Sequence, residues 1–211
     1  TELGEVFMST ASGLIEYLPA TDAFELHTSS NSNLARTSIS RICVDKNNWV
    51  YVLDGQLHRY DGTEFIRLSE IYNIIGIDVD KDNNLWGLRY ITGNFDYTLV
   101  KIEQNSKNTY SITPVDTMRL ERLDDFVDFQ IDLNDNPVVV FEDDMFIFEN
   151  GEFVEHSLGL FQPDYETLQI STKGMLMSTR TGVYDSRELY LDTIGKFDDG
   201  QFHICGRVFY D

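Results

Sequence analysis

Aspartates at alternate positions, Asp78-x-Asp80-x-Asp82, have the spacing with which oxygen ligands open a calcium loop. An EF-hand would continue with Gly at 83 and Glu at 89, where this chain has Asn83 and Arg89. The spacing recurs as Asp45-x-Asn47 and Asp132-x-Asn134, in contexts where Asp and Asn side chains accept hydrogen bonds from backbone N–H groups and tolerate left-handed backbone. Tight turns are therefore expected at all three places, and no metal. His27, His58, His156 and His203 are scattered, with no pair at metal-ligand spacing, and strand packing is their expected role. The chain has no CxxC, nucleophile elbow, phosphate-cradling glycine loop or HExxH, and TASG around Ser12 is a hairpin entry rather than a GxSxG. No catalytic residue and no cofactor are expected.

Charge narrows the partners. Against 16 Lys and Arg stand 36 Asp and Glu, a formal net charge of −20. Such a field repels phosphate backbones and anionic lipid, which argues against nucleic acid and membrane surfaces. The longest apolar stretches, such as Pro137 to Phe141, are too short to span a bilayer. With 42% hydrophobic and 13% aromatic residues, the 211-residue chain has the makings of a packed core. Cys43 and Cys205 both sit in alternating apolar segments and read as buried thiols, although a single disulfide is the other option.

The elements that position these residues repeat. ISRICVDKNNWVYVLDGQLHRYDGTEFIRL, from Ile39 to Leu68, gives an alternating strand, an Asp/Asn turn, an aromatic strand and a hairpin at Asp61-Gly62. Two-residue Asp-Gly and Asn-Gly loops favour type I′ turns, and FENGEF around Asn150-Gly151 echoes YDGTEF. Units are expected at 5–28, 39–68, 74–113, 126–156, 167–192 and 193–211, with Pro114 to Asp125 forming a short helix or ordered loop. MSTASGLIEY at Met8 is answered by MSTRTGVYDS at Met177. Repeated four-stranded units imply an all-β fold: one β-propeller domain of about five, five to six, antiparallel blades. The first unit reads as the second to fourth strands of a blade. The last reads as leading strands, so the ends either complete one blade between them or mark a portion of a larger propeller.

GLIEYL, QLHRYDG and GVYDS, each after a small-residue or Trp-containing strand, resemble the two-component regulator propeller repeat. The resemblance covers most of Val6 to Tyr210 in degenerate copies. Trp86 fits the aromatic position well and Trp49 approximately, while Asn replaces the turn Gly. It implies a periplasmic or extracellular module of a sensor or surface assembly, and it brings no catalytic residues.

Blade topology sorts the loops. First-to-second and third-to-fourth turns share one face, which is acidic with Asp45, Asp61, Asp80, Asp82, Asp132, Asp135, Glu149 and Asp198. The opposite face gathers Arg36, Arg89, Tyr90, Phe95, Asp96, Phe161, Tyr165 and Arg180, and these are the expected ligand- or partner-binding residues, since Arg and aromatics dominate hot spots. The expected function is non-catalytic recognition, sensing a small-molecule or carbohydrate ligand or docking a protein. A structural domain of a secreted or surface assembly is one alternative, and a propeller enzyme of the streptogramin-lyase type is another.

Overall fold

The computed structural model describes residues 1, 4–91, 96–106, 109–119, 126–141 and 144–156 with side chains, and 164–171, 174–182, 190–198 and 201–209 as backbone. The described chain is all-β: one three-stranded and four four-stranded antiparallel sheets, with no helix among the described residues. The first sheet holds β1 (Val6–Thr10), β2 (Gly13–Leu18) and β3 (Ala23–His27). The second holds β4 (Arg41–Val44), β5 (Val50–Leu53), β6 (Leu57–Tyr60) and β7 (Phe65–Arg67). The third holds β8 (Ile74–Val79), β9 (Leu85–Ile91), β10 (Asp96–Ser106) and β11 (Thr109–Arg119). β12 (Phe126–Ile131), β13 (Pro137–Phe141), β14 (Met145–Glu149) and β15 (Glu152–Glu155) form the fourth, and β16 (Asp164–Ser171), β17 (Gly174–Gly182), β18 (Tyr190–Asp198) and β19 (Gln201–Phe209) the fifth. Every sheet is a meander in chain order, as short hairpin loops require.

The chain divides into two compact units, 1–119 with the first three sheets and 120–211 with the last two. Within the first unit, β1 lies by β4 and β4 by β8; within the second, β12 lies by β16. The first strands of the four-stranded sheets thus sit beside one another within each unit. Two apolar layers result in the first unit. Leu14, Val50, Val52, Tyr60 and Phe65 fill one, and Tyr51, Leu53, Leu57, Ile74, Ile77, Val100 and Ile102 the other. The middle strands β5, β6 and β13 are buried at every residue, because a sheet packed on both faces needs near-continuous apolar runs.

Register shows which strands are equivalent. Val6 pairs with Tyr17 and Tyr17 with Phe24, as Val50 pairs with Tyr60 and Tyr60 with Phe65. β1–β3 therefore match β5–β7, the second to fourth strands of a sheet. On the face of the first sheet that carries Tyr17, Val6, Met8, Phe24 and Leu26 are exposed.

Four sequence expectations meet a different structure. Asp61 is absent from the positive-φ residues, and Gly62 alone takes φ 89°, because the loop spans four residues between Tyr60 and Phe65 instead of two. Asn150 and Gly151, at φ 54° and 93°, do form the two-residue loop with positive φ at both positions. β11 runs straight through Pro114 to Arg119, so 114–119 is strand and not helix. Pro is tolerated there because β11 is an edge strand and a register shift falls beside it. Residues 120–125 lie outside the described residues. Finally, 190–198 and 201–209 are the third and fourth strands of the β16–β19 sheet, and the sequence reading divided that sheet at 192. Met177 to Thr179 lie inside the long strand β17, so the turn that follows Thr10 has no counterpart after Thr179. Tyr184 lies outside the described residues.

Candidate functional site

Three turns share one design. Asp45, Asp80 and Asp132 each accept from the backbone N–H two and four residues ahead: Asn47 and Trp49, Asp82 and Asn84, Asn134 and Asn136, at 2.7–3.0 Å. The Asp N–H reaches the carbonyl four residues on, and the residue three ahead takes positive φ: Asn48 at 61°, Asn83 at 68° and Asp135 at 63°. This is a three-residue hairpin loop closed by a left-handed residue, a place for Asn, Asp or Gly. Asp80 adds the Trp86 indole N–H at 2.8 Å. Burial pushes its carboxyl up, but the bonds from Trp86, Asn84 and Asp82 outweigh that and hold it below the ordinary value. A carboxylate occupied this way is a turn brace.

Beside two of these turns lies a groove of about 200 Å³ between the second and third sheets. Trp49 and Tyr51 enter it from β5 and its turn, Asn83 and Asn84 from the β8–β9 turn, and Lys101, Glu103, Gln104 and Tyr110 from β10 and β11. Arg59, 1% exposed, braces its floor: the guanidinium carbon lies 4.1 Å from the Trp49 ring centroid, and Nη1 donates to the Tyr110 hydroxyl at 2.9 Å. The indole is thereby fixed as a flat wall. Burial raises the Tyr51 phenol well above its usual range, helped by Tyr110 and Asp45, so it stays a neutral hydrogen-bonding group. The lining combines an aromatic plane, phenols and amides with the charged Asp45, Lys101 and Glu103, and the volume lies below the 300–1,000 Å³ of drug-sized sites.

The groove is at the Asp-turn end of the sheets, and the residues expected to bind lie elsewhere. Arg89 and Tyr90 end β9, with Arg89 stacked 4.4 Å over Tyr72 and Tyr90 beside Tyr97 at 5.3 Å. Asp96 is 8% exposed and held by the Arg119 guanidinium at 2.8 and 3.3 Å. Arg36 is separate: it lies over the β5–β6 turn, where a Cβ on Gly55 would meet its Nη1 at 3.1 Å. Phe95 and Phe161 lie outside the described residues. Tyr165 is in β16 and Arg180 in β17, and their side chains lie outside the described residues as well.

Two histidines are paired in the interior. His58 Nε2 is 3.2 Å from Asp54 Oδ1, and Asp54 Oδ2 accepts the N–H groups of Ala35 and Arg36. Burial lowers the His58 pKa, against the opposing pull of Asp54. His27 Nε2 lies 2.7 Å from Glu16 Oε2, which also accepts the Tyr60 hydroxyl at 3.2 Å. Glu25 stands across from Glu16 in the register. The sequence reading passed over this group. Its signal was Glu25-x-His27, a spacing that places both side chains on one face of a strand. Cys43 is a free, buried thiol whose pKa is pushed up by burial and by Asp78 and Asp45, which makes it a poor nucleophile.

No family model matches the chain, and no curated protein matches it in sequence. Solved structures do match. The chain is similar to the extracellular domain of the putative hybrid two component system BT4673 from B. thetaiotaomicron, at 14% identity and TM-score 0.60, covering 99% of this chain and 34% of that one. A protein from Lactobacillus plantarum matches at 14% and 0.59, over 98% of this chain and 65% of that one. A putative oxidoreductase (glucose dehydrogenase) from Thermus thermophilus matches at 8% and 0.51, over 81% and 83%. The chain spans less than two thirds of the first two. At these identities the likeness is one of fold, an all-β propeller-like arrangement of antiparallel sheets.

Proposed function

We propose that each sheet is a propeller blade and that the chain is a non-catalytic recognition module of an extracytoplasmic sensing or docking protein, with the groove between the second and third sheets taking a neutral, polyhydroxylated ring such as a sugar. The observation that carries this reading is the groove lining: an indole clamped by Arg59, two phenols and amide side chains, with Asp45, Lys101 and Glu103 as further hydrogen-bonding groups, around about 200 Å³. The placement of the histidines also speaks against the lyase alternative, since His27 and His58 are committed to buried carboxylates. No helix among the described residues is long and apolar enough to cross a membrane.

A protein partner is proposed for a second surface of the first unit, around Arg89 and Tyr90 at the end of β9; Arg36, Phe95, Asp96, Phe161, Tyr165 and Arg180 stay proposed contacts with no common surface assigned to them. The exposed Tyr72 under the Arg89 guanidinium supports this second surface.

The groove is tested by titrating a panel of neutral mono- and oligosaccharides while following tryptophan fluorescence and binding heat. A saturable response that disappears in Gln104→Ala and weakens in Lys101→Ala is expected. Silence across the panel, or binding untouched by both changes, overturns the groove assignment and favours a scaffolding role.

A further inference from the structure

The interior face of the first sheet carries a group of side chains that the recognition reading does not use. Glu16 on β2 and Glu25 on β3 are direct partners across the antiparallel pair, so their side chains stand next to each other, and His27 lies two residues further along the same face. One donor atom from each of the three lies within 4.8 Å of the other two. Glu16 is 3% and His27 7% exposed, while Glu25 is exposed at the mouth. Like charges directly opposite one another destabilise a sheet, and a buried carboxylate needs a compensating positive group. His27 Nε2 lies 2.7 Å from Glu16 Oε2, and it is the ring atom facing the carboxylates that can donate its lone pair to a metal.

We infer that Glu16, Glu25 and His27 form a binding site for a divalent first-row metal ion of the zinc type. One imidazole nitrogen with two carboxylate oxygens suits zinc, and an imidazole is out of place around calcium or magnesium. Tetrahedral coordination at about 2.0–2.2 Å per bond sets donor atoms about 3.3 Å apart, so the His27–Glu16 contact opens by about half an ångström when the ion enters. The surroundings hold the ligands in place. The Tyr60 hydroxyl donates to Glu16 Oε2 at 3.2 Å, the outer hydrogen bond that orients a ligating carboxylate. The His27 ring is packed against Tyr60 at 5.3 Å and Phe65 at 5.2 Å, both from the neighbouring sheet. Three protein ligands leave a fourth position for water on the open Glu25 side. The ion would tie β2 to β3 in the three-stranded sheet.

The test is calorimetric titration of the chelator-treated full chain with Zn²⁺, with Co²⁺ as a second probe whose visible absorption reports tetrahedral N,O coordination. One equivalent is expected to bind. Glu25→Gln, at an exposed position that leaves the fold intact, and His27→Gln are each expected to weaken binding by about 100-fold or more. Tyr60→Phe is expected to weaken it by about 10-fold to 100-fold while keeping the Co²⁺ spectrum. Absence of stoichiometric binding, or binding equal in the parent, Glu25→Gln and His27→Gln, overturns the site.

Discussion

Replacing Asp80 with Ala removes one side chain and strands three donors. The Asp82 and Asn84 N–H groups converge on Oδ1 at 3.0 and 2.8 Å, and the Trp86 indole N–H meets Oδ2 at 2.8 Å. Asp80 is 8% exposed, so water replaces this acceptor poorly. At about 1 kcal/mol per lost bond, the expected cost is about 3 kcal/mol, to which the Asn84 amide adds little because it can turn to solvent. Asp80→Asn keeps one carbonyl oxygen for the two backbone donors but presents an NH₂ to the indole, and it should cost about 1 kcal/mol. With a urea slope of about 2 kcal/mol/M, the midpoints should fall by about 1.5 and 0.5 M, followed by tryptophan emission. The gap between parent and Asp80→Asn should close in acid. The folded pKa of Asp80 is depressed, so its contribution is fully present above the unfolded value near 3.8 and is lost as pH falls through the folded one. A midpoint for Asp80→Ala within about 0.2 M of the parent refutes the reasoning. So does a calcium-dependent midpoint in the parent that Asp80→Ala abolishes, because the carboxylate would then be holding an ion and not the turn.

Other perturbations have equally definite outcomes. Gly13→Ala, at φ 144° with a new Cβ 2.4 Å from the His27 carbonyl oxygen, should cost more than about 2 kcal/mol, whereas Gly62→Ala, at φ 89° with nothing within 4 Å, should cost about 1 kcal/mol; thermal melts of the pair separate clash from backbone preference. Arg59→Ala should destabilise by about 3 kcal/mol or more and red-shift the Trp49 emission, since it empties a buried stack and frees the Tyr110 hydroxyl; an unshifted spectrum would sink the bracing role. Because burial lowers the folded His58 pKa below 6.5, the unfolded chain binds the extra proton, so stability at His58 is intact above pH 6.5 and declines below it; His58→Gln should flatten that decline in urea midpoints measured across mildly acidic pH.

What could be read from the sequence depended on how local the information was. The Asp/Asn turns were legible because the bonds that close them, from the N–H groups two and four residues ahead of each Asp, fall within five residues. The Tyr17 and Tyr60 equivalence was legible because each aromatic pairs across a short hairpin, with Phe24 and with Phe65. The groove was not, since Trp49, Lys101 and Tyr110 come from different sheets and meet only when those sheets pack. The zinc-type group needed the β2–β3 register, because a one-residue slip would have moved Glu25 and His27 to the other face. Pro114 misled for a physical reason: proline usually ends an element, and only an edge position with a register shift lets the strand continue.

The Asp45, Asp80 and Asp132 turns amount to one experiment that the molecule has run in triplicate. Each copy holds to an acceptor at the first place and a left-handed backbone at the fourth, and the letters between them differ: Lys46-Asn47, Lys81-Asp82 and Leu133-Asn134. Selection on such a loop acts on a carboxylate and a torsion angle, leaving the rest free to drift. A lineage built from these units can lose its recognisable spelling long before it loses its shape. By the same logic, a stabilising exchange proved at Asn48 should transplant to Asp135, whereas Asn83, whose side chain accepts the Lys46 N–H, is held by more than its own turn.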